Sequence, residues 1–182
     1  SLSKVAILAS LNIADELFRC QDAQQAGRGA LAERAEALER LVDADLLIKL
    51  PDAVDDRTAA ATLLRGLTAQ MLAHQVHEIR AGLTILVHAA SGGVGRLLCQ
   101  WAHHMGASVI GTVGSEEKAR SARENGCDHV ILYRTENFVE RVQAITGGRG
   151  VDVAYDAVGK DTFMGSMTCL ARLGHMVNFG QA

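Results

Sequence analysis

The apolar run Thr84-Ile85-Leu86-Val87-His88 is followed by AASGGVG at Ala89 to Gly95, and then by the helical-looking Arg96-Leu97-Leu98-Cys99-Gln100-Trp101-Ala102. A strand, a glycine-rich turn and a helix in that order aim the turn's backbone N–H groups and the positive helix end at one point. The pyrophosphate of a dinucleotide can sit there. Gly92 and Gly93 lack a Cβ, so the backbone can turn sharply and approach the ligand. Gly95, one turn into the helix, lets helix and strand pack closely. The pattern is Ala89-x-x-Gly92-x-x-Gly95, so alanine stands where the usual G-x-G-x-x-G has its first glycine. A glycine run alone is as often an ordinary turn as a phosphate cradle, and the sequence downstream has to decide.

An Asp or Glu at the end of the next strand, roughly 20 residues past the turn, accepts hydrogen bonds from the adenosine ribose in NAD binders. Here Thr112-Val113-Gly114-Ser115 occupies that place, with no carboxylate before Glu116. Lys118 follows one helical turn in, where an ammonium can meet a 2′-phosphate. NADPH is therefore favoured over NADH, although a solvated helix residue is the plainer reading of Lys118 taken alone.

These residues need a scaffold that brings the ends of separate segments together. Beyond the glycine turn, strands are predicted at Ser108–Val113, His129–Tyr133, Val151–Tyr155 and His175–Phe179, with helices between them at Ser115–Asn125, Glu136–Thr146 and Asp161–Ala171. Gly126, Gly147-Gly148, Gly159 and Gly174 supply the breaks. Five strands alternating with four helices predict an α/β fold, a doubly wound parallel Rossmann sheet. Trp101 reads as core, and His103 and His104 as helix-surface residues without a role.

With LPDAVDDRTAAA (Leu50–Ala61), GLTAQ (Gly66–Gln70), VHAASGGVG (Val87–Gly95), GTVGSEEKA (Gly111–Ala119), ITGGRGVDVAYDAVGKDTF (Ile145–Phe163) and VNFGQ (Val177–Gln181), the stretch from about Leu50 onward resembles the cofactor domain of the quinone oxidoreductases. These are the zeta-crystallin-like branch of the medium-chain dehydrogenase/reductases. The resemblance implies hydride transfer from NADPH to a quinone or enone. It places Thr68 near the nicotinamide, and Gly92, Gly93 and Val94 on the pyrophosphate. Gly114, Ser115, Lys118 and Tyr133 would surround the 2′-phosphate, and Ala157, Val158, Phe179, Gly180 and Gln181 would line the channel toward the nicotinamide. A full member also has a catalytic GroES-like domain forming the other wall of the cleft. No such sequence precedes Leu50, so residues 47–182 read as an incomplete NAD(P)-binding domain, and turnover by this chain alone is in question. No catalytic residue is assigned, and Met71 stands where relatives often carry Tyr.

Residues 1–46 read as a helical extension. Lys4–Leu17 has helical propensity, and a second helix from Ala30 to Ala44 spaces Leu31, Ala35, Leu38 and Val42 alternately by four and three, with Gly27 and Gly29 in between. No strand signal is seen in this stretch. It resembles the C-terminal segment of ZapA-type cell-division proteins, which implies a coiled coil and a homo-oligomer held through Leu8, Leu11, Leu31, Leu38 and Val42. A helical hairpin packed on the chain's own sheet is the alternative. Pro51, the only proline, follows the join near Leu46–Leu50.

A net charge of −3 without a basic run gives no reason to expect nucleic acid or an anionic membrane as partner. With no membrane-length apolar stretch or signal peptide, a cytoplasmic location is expected. Cys20, Cys99, Cys127 and Cys169 lack C-x-x-C spacing and read as reduced buried thiols, and no metal signature is present. A reductase acting on a small quinone or enone and a non-catalytic nucleotide-binding module carried on a self-associating helix are the two functions compatible with these residues.

Overall fold

The computed structural model describes residues 5–7 and 47–180. Two compact units divide the chain, Ser1–Leu64 and Arg65–Ala182. In the first, β1 (Val5–Ile7) pairs antiparallel with β2 (Leu47–Lys49), Ala6 opposite Ile48. This corrects the helical reading at Val5–Ile7. The β-branched Val5, Ile7 and Ile48 favour an extended pair, and helical propensity over so short a stretch is marginal without packing. The rest of the expected helices, with Leu8, Leu11, Leu31, Leu38 and Val42, lies outside the described residues.

Helix α1 (Asp56–Gln70) starts at Asp55, whose carboxylate accepts the Thr58 N–H at 2.9 Å and the Thr58 hydroxyl at 2.8 Å. The Thr58 backbone bond, then its hydroxyl, holds the Asp55 carboxyl below its ordinary value. Beyond Gln70 the chain widens into a π-helical segment, Met71–Val76, that buries Leu72 and Ala73.

Five parallel strands form the sheet of the second unit: β3 (Thr84–Val87), β4 (Ser108–Val113), β5 (His129–Leu132), β6 (Val151–Asp156) and β7 (Leu170–Asn178). Their order is β5-β4-β3-β6-β7, with α2 (Gly93–His104), α3 (Glu116–Glu124), α4 (Phe138–Ile145) and α5 (Phe163–Cys169) as the crossovers. The α/β doubly wound Rossmann sheet is thus present. Strand alternation sorts the core into two faces. Ile85, Val87, Val109, Val153 and Tyr155 pack with Leu98, Cys99 and Ala102 of α2 and with Ala119 and Ala122 of α3. Leu86, Ile110, Ile131 and Ala154 pack with Val142 of α4 and Cys169 of α5. Tyr155, fully buried, donates its hydroxyl toward the carbonyls of Leu72 and His77 at 3.2 and 3.3 Å, which ties the π-helical segment to the sheet.

The last crossover differs from its predicted bounds. The helix ends at Cys169 instead of Ala171, because Leu170 already pairs with Val151. Register resumes only at Val153 opposite His175, and the extra residues bulge out with Leu173 at φ 65° and 88% exposed. Cys99, Cys127 and Cys169 are free and buried. No helix among the described residues is long and apolar enough to cross a membrane.

Candidate cofactor-binding site

From β3 the chain runs outward through β4 to β5, then crosses back to β6 and on to β7. The switch between β3 and β6 opens a crevice beyond the carboxyl ends of these strands, where an open parallel sheet takes its ligand. The glycine turn lies there. Ala89 has φ 52°, the left-handed conformation that a first glycine would adopt without strain. Its carbonyl accepts the Gly92 N–H at 2.8 Å, while the next residue, Ala90, donates its N–H to the Thr112 carbonyl at 3.1 Å. The sharp turn therefore falls on Ala89 and not on Gly92, whose φ of −72° suits any residue. Gly92 is needed for space, since a Cβ there would stand 3.0 Å from the Ala89 oxygen. A Cβ on Gly95 would run into that same oxygen and lie 3.0 Å from Ala90 Cα, the close helix–strand approach expected of it.

Gly92 caps α2 without a side-chain hydrogen bond, and no acidic residue occupies the helix's first turn. Arg96 donates its N–H to the Gly92 carbonyl at 2.9 Å. The N–H groups of Gly93, Val94 and Gly95 come before that bond and have no carbonyl of the helix to meet, so they are donors for an anion. The Val94 side chain packs against the core.

At the end of β4, Ser115 caps α3 and its Oγ accepts the Lys118 N–H at 3.3 Å. A Cβ on Gly114 would stand 2.7 Å from the Tyr133 hydroxyl and 3.5 Å from Arg134 Nε. The structure thus gathers Gly114, Ser115 and Tyr133 at one strand end, with Lys118 exposed in the first turn of α3, and it adds Arg134. Tyr133, 52% exposed just past β5, has solvent access and is not a core aromatic. Ala157 and Val158 follow β6, and Phe179 and Gly180 follow β7. A Cβ on Gly180 would stand 2.7 Å from the Ala157 oxygen, so these two loops lie against each other. Thr68 is half-buried near the end of α1, and Gln181 lies outside the described residues.

Asp156 holds this second pair of loops and was not singled out from the sequence. Its carboxylate accepts the N–H groups of Val158 at 2.8 Å and Gly159 at 3.0 Å, and the Thr162 hydroxyl at 2.7 Å. Its carbonyl accepts the Phe179 N–H at 3.0 Å. Burial pushes the carboxyl up, but the bonds from Gly159, Thr162 and Val158, with nearby His88, hold it below its ordinary value. His88, 2% exposed at the end of β3, bridges the Thr112 hydroxyl through Nδ1 and the Ser166 hydroxyl through Nε2, each at 2.9 Å. Ser166 donates to the Thr162 carbonyl at 2.9 Å. Nε2 is then the nitrogen that donates to Ser166, and Nδ1 accepts from Thr112. Burial lowers the His88 pKa, opposed by Asp156. A polar residue at the end of an otherwise apolar run was the only sequence signal for either group.

Residues 93–182 match the zinc-binding dehydrogenase family. The chain is 49% identical over 150 residues to a 2-haloacrylate reductase of a Burkholderia species, covering 81% of this chain and 45% of that relative. It is 51% identical over 141 residues to a quinone oxidoreductase of Salmonella typhimurium, covering 78% of this chain and 43% of that one. The crystal structure of the Escherichia coli quinone oxidoreductase complexed with NADPH superposes with a TM-score of 0.73 at 49% identity, over 76% of this chain and 42% of that one. The chain thus spans less than half the length of these relatives. Among the described residues, no three His, Cys, Asp or Glu side chains converge as metal ligands.

Proposed function

We propose that this chain, whose residues 93–182 match the zinc-binding dehydrogenase family, carries the NADPH-binding half of a reductase that passes hydride to a quinone or enone. The observation that carries this reading is a pair of features at adjacent strand ends. One is the α2 N-terminus behind the Ala89–Gly95 turn, and the other is the end of β4, where the Tyr133 hydroxyl lies against Gly114. The similarity of the chain to a quinone oxidoreductase complexed with NADPH supports it. NADPH, when bound, supplies the hydride. The chain's own residues bind and orient: the N–H groups of Gly93, Val94 and Gly95 take the pyrophosphate in place of the expected Gly92, Gly93 and Val94, because the Gly92 N–H is held by the Ala89 carbonyl, while Gly114, Ser115, Lys118 and Tyr133 surround the 2′-phosphate. The loops at Ala157–Val158 and Phe179–Gly180, pinned by Asp156, line the path to the nicotinamide with Thr68 and Gln181. Orientation of this kind supplies a large part of the rate in hydride transfer. The quinone and haloacrylate acceptors named for the two relatives share an electron-poor carbon–carbon double bond, and that is the acceptor class proposed here.

A fluorescence titration with NADPH and NADH, run beside an NADPH oxidation assay with a small quinone, tests the reading. Saturable binding that favours NADPH, with quinone-dependent oxidation, is expected. Binding without oxidation would leave the chain a nucleotide-binding module, and the absence of binding would end the proposal.

A further inference from the structure

The side chain of Arg65 lies on Gly93. A Cβ on Gly93 would stand 2.6 Å from Arg65 Cδ, 2.6 Å from Nε and 3.1 Å from Cζ, so the flexible end of Arg65 lies where a side chain at this position would begin. Gly93 has no left-handed backbone to explain its being glycine. The site of the approach is electrostatically odd. Gly93 is the first residue of α2, and the N-terminal end of a helix carries a partial positive charge that disfavours a cation. Among the described residues no carboxylate forms an ion pair with Arg65, nor does the first turn of α2 hold one. Two positive groups face the same volume, and an anion between them would turn their repulsion into a clamp.

We propose that Arg65 is a pyrophosphate-binding residue, supplying from α1 the full charge that the glycine turn lacks. The inference rests on the dinucleotide reading above and deepens it. Neutral N–H donors give the turn geometry without charge, whereas a guanidinium offers paired donors in a fixed fork suited to phosphate oxygens. Arg65 and Lys118 then divide the work. Arg65 acts on the diphosphate shared by both nicotinamide dinucleotides, and Lys118 on the 2′-phosphate found only in NADPH.

The test uses the full chain with Arg65→Ala and Arg65→Lys, three ligands (NADPH, NADH and adenosine 2′-monophosphate, which lacks the diphosphate) and the melting temperature of each variant. Arg65→Ala is expected to weaken NADPH and NADH alike by about tenfold, the size of one charge-assisted contact. The monophosphate and the melting temperature should be unchanged, and Arg65→Lys, which restores the charge but not the fork, should recover part of the loss. Unchanged dinucleotide affinity in Arg65→Ala would overturn the assignment. So would an equal loss for the monophosphate, which would mean that Arg65 acts through the fold. An unmutated chain that binds neither dinucleotide would instead remove the cofactor reading itself, and this inference with it.

Discussion

The Ala89–Gly95 turn and the cluster around Asp156 occupy the same edge of one sheet, but they treat polar groups in opposite ways. At the turn, backbone donors at the head of α2 face outward beside an exposed arginine, and the strained φ of 52° sits on Ala89. In the cluster, Asp156 and Ser166 are fully buried, His88 and Thr112 nearly so, and the donors and acceptors are matched among β3, β4, β6 and α5. Groups left open can bind, and groups satisfied internally can only position. The cluster holds the strand ends and the Val158–Gly159 loop still, so that the turn can present its donors to a ligand.

If that division is right, variants in the cluster should change stability and variants around the turn should change affinity. The largest expected effect is that of Asp156→Ala, which strands the N–H groups of Val158 and Gly159 and the Thr162 hydroxyl. A loss of about 3 kcal/mol in stability is expected by urea denaturation. A variant of native stability with weakened NADPH binding would place Asp156 in the binding site and erase the contrast. Next comes Lys118→Ala, expected to cost about 1–2 kcal/mol in NADPH affinity and almost nothing in NADH affinity or stability. Equal affinity of the unmutated chain for both dinucleotides would remove Lys118 from the 2′-phosphate.

Ala89→Gly sharpens the comparison from the other side. It should raise stability by about 0.5–1 kcal/mol by removing a left-handed alanine, with NADPH affinity retained, because glycine keeps the same left-handed turn. A drop in thermal stability would show that the alanine methyl packs to advantage. The finest test is a pH profile. A histidine whose folded pKa lies below its ordinary 6.5 gives stability that is fully present above that pH and is lost as pH falls through the folded value. The melting temperature should therefore start to fall below about pH 6.5. Asp156, also held low in the folded state, should add a second decline in the acid range below its ordinary 3.8. In His88→Gln the first decline should shrink to the part contributed by His77, which burial and the neighbouring His175 also hold below its ordinary value, while the second remains. Two unchanged declines would mean that other groups govern acid unfolding.

Much of this architecture was legible in the residues. Apolar runs of strand length separated by glycine breaks marked β3, β4 and β6 because a parallel strand buried on both faces is apolar throughout, whereas the expected His175–Phe179 missed the start of the exposed edge strand β7 at Leu170. The glycine turn, Ser115 and Lys118 were legible because each depends on spacing within one strand–turn–helix unit. The pairing of Val5–Ile7 with Leu47–Lys49 was not, since partners some forty positions apart leave no local pattern.

The sequence by itself determined the order of strands and helices, the position of the glycine turn and the absence of an acid at the end of β4. All three follow from local periodicity and from residue types adjacent in the chain. Only the tertiary structure decided that Ala89 carries the strain of the turn, that Arg65 lies on Gly93, and that His88 joins Thr112 and Ser166. Those last partners stand 24 and 78 positions from His88. The reason is physical. Hydrogen bonds, charge proximity and steric room belong to pairs of atoms in space, and once the sheet has closed, residues far apart in the chain become neighbours at its carboxyl edge.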